Sequence, residues 1–211
     1  MSQAVLSFDE SAVMHGVSWD AYVCSRAASE NDGLRLTYSD GMMEIMSPSH
    51  GHERVSHLLG RFVDEWTIAC GIDVCNGRST TFQRADLGRG LEPDNCYWIE
   101  SESRIRTRDQ IDLTIDPPPD LAIEVEVTKR VVPRLPIYQA LQVGELWRWR
   151  NEGMEVLILD PRTGYVVVSQ SRALPGFPIE AVCELIAKRH QLPDTALIRT
   201  FRTLIETSGT R

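Results

Sequence analysis

The most regular alternation of apolar and polar residues lies over 120–128, where Ile123, Val125 and Val127 interleave with Glu124, Glu126 and Thr128. A period of two is that of a half-buried strand, so Glu124 and Glu126 share one face. A second strand-like run covers 95–99 and starts directly after Asp94. Val55, Leu58, Leu59, Phe62, Val63 and Trp66 recur at steps of three and four, which predicts a long helix over about 52–70 with Gly71 as its stop. A shorter stripe of Trp19, Tyr22 and Val23 behind Ser18 predicts a helix capped by that serine and ended by Asn31-Asp32-Gly33. Ser39-Asp40-Gly41 between the runs 34–38 and 42–46 predicts a hairpin, and alternation puts Glu44 with Met42 and Met46.

The remaining pattern is less regular. The chain to about Val17 has no clear period and is expected to be partly loose. Strands are expected at 72–74 and 79–84, then a glycine-containing turn over 86–90. The run 101–110 is a polar excursion whose Arg104, Arg106 and Arg108 either meet phosphates in a groove or lie in a solvated loop. Asp116-Pro-Pro-Pro-Asp120 is a stiff lead into the Glu124 strand. Pro133 and Pro136 suit a first helical turn, which sets Arg134 near the start of a helix running through Leu141. Strands follow at 145–150, 154–159 and 165–169. Trp147 and Trp149 share one face of the first of these, as core packing or as a stacking platform, and Arg148 and Arg150 share the other. An amphipathic helix over about 179–189 closes the pattern, with a frayed tail from Thr207.

At 211 residues the chain can bury a real core, and one domain is expected, with a main body over about 18–170 and a helical extension over 171–211. No stretch is long and apolar enough for a membrane span, and Met-Ser-Gln-Ala begins no leader. Five scattered cysteines with no CxxC pair argue against a disulfide framework or a zinc site and point to a cytoplasmic, reducing setting. A net charge of -8 leaves no overall basic footprint for nucleic acid, although arginines concentrated at a cleft would serve.

Carboxylates on a strand rich in Ile and Val are costly unless water, hydrogen bonds or a cation meets them. Asp94, Glu124 and Glu126, drawn from two strands, form a set of hard oxygen donors suited to Mg²⁺ or Mn²⁺. A solvated strand face without metal is the alternative. His52-Glu53 and His57 miss the HExxH spacing by one residue, so the two imidazoles do not share a helix face and no zinc protease is implied.

The ordered set Asp40-Gly41, Glu44, Ser47-Pro48, His52, Glu92-Pro93-Asp94, Pro119-Asp120-Leu121, Glu124-Val125, Leu135-Pro136-Ile137-Tyr138 and Gly144-Glu145-Leu146-Trp147 resembles the Uma-two family of restriction-endonuclease-like proteins. The resemblance spans roughly 19–169. It implies a PD-(D/E)xK nuclease core of α/β class: a mixed sheet flanked by helices, metal-dependent, cutting phosphodiester bonds of nucleic acid, DNA foremost. By that resemblance Asp94 and Glu124 are metal ligands, and Glu44 and His52 match further motif positions. Glu126 stands where the superfamily carries its lysine and would add a metal contact or act as a base. Arg134 stands where the family commonly has lysine; it can clamp a phosphate but does not readily give up a proton. Lys129 is a nearby substitute. Unpaired sheet edges and the habits of this fold allow a homodimer. Two rival functions fit the same residues: a catalytically inactive interaction protein on this scaffold, and a hydrolase of small phosphorylated compounds.

Overall fold

The computed structural model describes residues 9–31, 33–128 and 130–207. Lys129, Asp32 and the tail beyond Thr207 lie outside the described residues. In chain order the first half runs β1 (Glu10–His15), α1 (Trp19–Ala27), β2 (Arg35–Ser39), β3 (Met42–Ser47), α2 (His50–Cys70), β4 (Cys75–Asn76), β5 (Phe82–Arg84), β6 (Arg89–Leu91) and β7 (Asn95–Trp98). The second half runs α3 (Glu102–Ile105), β8 (Leu121–Glu126), α4 (Leu135–Ala140), β9 (Glu145–Arg150), β10 (Gly153–Asp160), β11 (Gly164–Val168), α5 (Ile179–Ala187) and α6 (Asp194–Thr207).

The strands form two sheets, ordered β1-β3-β2-β6-β5 and β11-β10-β9-β8-β7-β4. The second is mixed, with β8 and β9 parallel and its other neighbours antiparallel. The result is the expected mixed α/β fold, consistent with a restriction-endonuclease-like core. The β2–β3 hairpin turns through Asp40 and Gly41 at φ 48° and 83°, the left-handed pair that a two-residue turn between twisted strands requires. Helix α2 starts two residues earlier than its apolar stripe suggests, because Ser49 Oγ accepts from the His52 amide at 3.2 Å. It ends at Gly71, whose φ of 65° closes the last turn.

One face of the second sheet packs against α2, α5 and α6 through Leu121, Ile123, Val125, Trp147 and Trp149. The two tryptophans are therefore core residues, not a stacking platform. The other face packs Ala122, Leu146 and Leu157 against Ile137, Tyr138 and Leu141 of and beside α4, with Phe82 and Leu91 from the first sheet. Because α4 and its approach cover the polar face, β8 is buried on both sides from Leu121 to Val125 rather than half-buried.

Other expectations change as well. The first stretch is not loose from residue 9 onward: β1 pairs with β3 along its length, held by backbone bonds and not by apolar burial. Residues 72–74 form no strand, and the short β4 follows them, paired with β7. The strand expected at 79–84 shrinks to β5, and the expected turn over 86–90 ends in β6. The polar excursion contains α3, and Arg106 and Arg108 pair with Glu102 and Asp116 rather than lining a groove at β8. The helix expected to 189 ends at Ala187.

Candidate functional site

Asp94 precedes β7, which runs antiparallel to β8 with Asn95 opposite Ile123. Continuing that register sets Asp94 across from Glu124. The Asp94 amide donates to Ile123 O at 3.1 Å, and the Val125 amide donates to Asp94 Oδ2 at 2.7 Å, so Asp94 is bonded to both neighbours of Glu124. The acids that the chain separates by thirty positions thus meet across one strand pair. Neither is solvated: Asp94 is 7% and Glu124 1% exposed, which excludes the solvated strand face for this pair.

Buried carboxylates need partners. Arg134, at the start of α4 behind Pro133, is 5% exposed and brings Nη1 to 2.9 Å from Glu124 Oε2. Its Nη2 donates to the Glu92 carbonyl, and the guanidinium lies 6.0 Å from the centre of the Tyr138 ring. Tyr138, one helical turn on, donates its hydroxyl to Glu124 Oε1. Burial pushes the Glu124 carboxyl up to about 7, with Arg134 pulling it back and Asp94 adding to the rise. Burial also raises Glu92 and Tyr138, while the surrounding acids, Glu124 first, outweigh burial and hold Arg134 firmly charged.

His52, in the first turn of α2, is fully buried between two acids. Its Nδ1 donates to Asp9 Oδ2 at 3.0 Å, and its Nε2 lies 2.9 Å from Asp94 Oδ1, off the alignment that a hydrogen bond needs. Burial alone would lower the imidazole pKa, but Asp94 and Asp9 together raise it to about 9. Burial would raise Asp94, yet the cationic His52, Arg134 and Arg130 hold it well below the ordinary carboxylate range. A ring held in its charged form is an electrostatic partner of Asp94 and not a base at neutral pH. His50 and His57 are exposed.

Glu44 is buried at 1% but does not reach the pair directly. Its two oxygens accept the Val131 and Val132 amides at 3.2 Å each, which pins the loop that delivers Arg134. Glu126 is half-buried and lines a cavity of about 460 Å³ with Glu124, Arg130, Arg134, Arg148 and Arg150. Arg148 and Arg150 share Glu155 at 2.7 and 2.6 Å, and Arg130 Nε and Nη2 have no hydrogen-bond partner. Four arginines thus line the cleft, Arg134 paired with Glu124, Arg148 and Arg150 with Glu155, and Arg130 with two nitrogens free of hydrogen bonds.

The donor chemistry fits a hard cation. Asp94 Oδ1 and Glu124 Oε2 are buried carboxylate oxygens whose neighbours are the ion-paired His52 Nε2 and Arg134 Nη1, each at 2.9 Å, and Mg²⁺ binds through one or two carboxylates while keeping several waters. Among the described residues no group of three or more His, Cys, Asp or Glu is placed to hold a metal ion. The fit therefore rests on two acids, with Glu126 farther out along the cleft. Asp9, Glu92 and Tyr138 join the site without having been singled out by sequence. Tyr138 had a signal, since it stands four residues after Arg134 on one helix face. Glu92 stood in the quoted motif with no role, and Asp9 lies in an aperiodic stretch that gives none.

No curated protein matches the chain. The family model Uma2, described as "Putative restriction endonuclease", matches residues 19–186. That region holds Glu44, His52, Asp94, Glu124 and Arg134 and covers well over half of the chain, which therefore belongs to the Uma2 family of nuclease-like proteins.

Proposed function

We propose that the protein is a metal-dependent nuclease that hydrolyses phosphodiester bonds of DNA. The observation that carries this reading is the meeting of buried Asp94 and Glu124 across one strand pair, with Glu124 opening onto a cleft lined by four arginines. Asp94 and Glu124 would hold Mg²⁺ or Mn²⁺, which supplies Lewis acidity and a water of lowered pKa. Arg134 sits buried at the inner wall, where it can stabilise charge building on a phosphate. Arg130, with two nitrogens lacking hydrogen bonds, is suited to hold a neighbouring phosphate. Glu126 faces the same cleft as a further contact or base. Glu44 and His52 act behind them, one fixing the Arg134 loop and the other bracing Asp94. Free cysteines support a cytoplasmic setting, and the open edge strand β11, with Val166 and Val167 exposed, supports a homodimer. Among the described residues no helix is long and apolar enough to cross a membrane.

The test is cleavage of plasmid and linear DNA in Mg²⁺ and Mn²⁺, with RNA and free nucleotides alongside. Asp94→Ala should abolish cutting while leaving the circular dichroism spectrum intact. Activity that survives that substitution or excess EDTA ends the proposal.

A second reading, a catalytically inactive interaction protein on this nuclease-like fold, draws on the cations already set against both acids at 2.9 Å. Mn²⁺ titration separates the two, since only the enzyme needs an ion between Asp94 and Glu124.

A further inference from the structure

We propose that Asp9 is a positioning residue of this site: by gripping the His52 ring from behind, it orients the Asp94 carboxylate. The inference rests on the nuclease reading for its catalytic weight and on geometry for its existence.

Strand β1 buries almost nothing of its own, and five of its six residues are exposed. The residue immediately before it is nevertheless 7% exposed. Pairing of Glu10 with Ser47 carries Asp9 past the end of β3 to the start of α2, where its two oxygens take separate tasks. Oδ1 accepts the Ser49 amide at 2.9 Å, and Oδ2 accepts from His52 Nδ1 at 3.0 Å. The His52 backbone is itself tied to Ser49 Oγ, so both the main chain and the ring of His52 are fixed from one side.

With Nδ1 engaged, Nε2 faces Asp94 Oδ1 at 2.9 Å. Asp94 Oδ2 is meanwhile held by the Val125 amide. The carboxylate is thus braced on both oxygens, by the sheet on one and by the Asp9-supported ring on the other. Partners that hold a ligating group in place without touching substrate account for about ten- to hundredfold of a metal site's affinity or activity. Asp9 lies outside the region 19–186 that carries the family match, so a chain begun at that boundary would lack it.

The experiment compares the full chain with Asp9→Ala, Asp9→Asn and Ser18→Ala. Ser18→Ala removes the cap of α1, away from His52, and controls for a merely structural loss of a helix cap. Asp9→Asn keeps the volume and offers one acceptor oxygen in place of two, a milder change that folds if the alanine variant does not. Asp9→Ala should lower kcat for DNA cleavage by roughly ten- to hundredfold with KM within about twofold, and Asp9→Asn by less. In the same sample the slowly exchanging His52 ring N–H signal should vanish and the Val125 amide proton should shift, while Ser18→Ala should leave kcat and both signals in place. Unchanged kcat in both Asp9 variants, or a Val125 amide that does not move, overturns the proposal. If the unaltered protein cuts no nucleic acid, the nuclease reading fails by itself, and the Val125 amide still decides whether Asp9 orients Asp94.

Discussion

Whether His52 is charged governs how stability should change with pH. Its folded pKa is raised from 6.5 to about 9, chiefly by Asp94 and Asp9 working against burial. Below the unfolded value both states bind the proton, and the full contribution of the ion pairs is present. Above it the unfolded chain gives up the proton while the folded chain keeps it, so stability falls as pH rises through the folded value. The loss between pH 6.5 and 9 should be on the order of 3 kcal/mol, read as a falling urea midpoint. Glu124, raised from 4.5 to about 7, acts in the lower window and leaves this one largely to His52. His52→Gln should flatten the slope. A parent protein whose midpoint is level from pH 6.5 to 9 would show that the ring is not charged in the fold. At this scale Asp94, Glu124, Glu44 and His52 were legible because each stands in an ordered motif, and Arg134 because it directly precedes one behind Pro133. Their division of labour was not, because spacing cannot tell that Glu44 turns to two amides or that His52 has an acid on either side. Asp9 was invisible for the same reason: its role exists only where β1 meets the start of α2.

At the scale of elements, long periods were readable and short ones were not. Helix α2 and strand β8 carry enough residues for the apolar pattern to declare itself, whereas β4, β5 and β6 hold two or three residues and are set by their partners across the sheets. What places α2 against the site is also a matter of contact rather than pattern. A Cβ built on Gly60 would come within 2.5 Å of Asn95 Nδ2 and 3.4 Å of the Tyr97 hydroxyl, so the helix lies almost on β7 beside Asp94. In an exposed helix, Gly→Ala adds about 1 kcal/mol of stability. Here the methyl must push a buried Asn95, and overpacking of that kind costs about 1–3 kcal/mol. Gly60→Ala should therefore be destabilising, by up to about 2 kcal/mol in urea titration, with chemical-shift changes concentrated on 94–97. A gain in stability would mean that α2 rides higher above the sheet than this contact implies.

For the whole molecule, the open question is whether residues beyond 170 decorate the fold or complete it. The expected pattern closes with the helix over 179–189, yet Leu197, Ile198, Phe201 and Ile205 form a buried face of the further helix α6, which packs on α2 with Phe62 and Phe201 ring centres 4.8 Å apart. Leu174, Phe177 and the α5 residues Val182, Leu185 and Ile186 enter the same core. Nine buried apolar side chains of that core thus come from the last forty-odd residues. Their removal would strip the α2 face of this core of its cover and leave a large apolar surface open to water. It would also uncover Leu58, Phe62 and Trp66 along α2, whose opposite end carries His52. We therefore propose a single cooperative unit, in which a chain ending at 170 is insoluble or unfolded although it retains every acid of the site. The full chain should melt in one transition that coincides by far-ultraviolet dichroism and tryptophan fluorescence, since Trp66 and Trp147 lie in the shared core. A soluble 1–170 fragment with a cooperative melt would show instead that the C-terminal helices are an addition to a fold already complete.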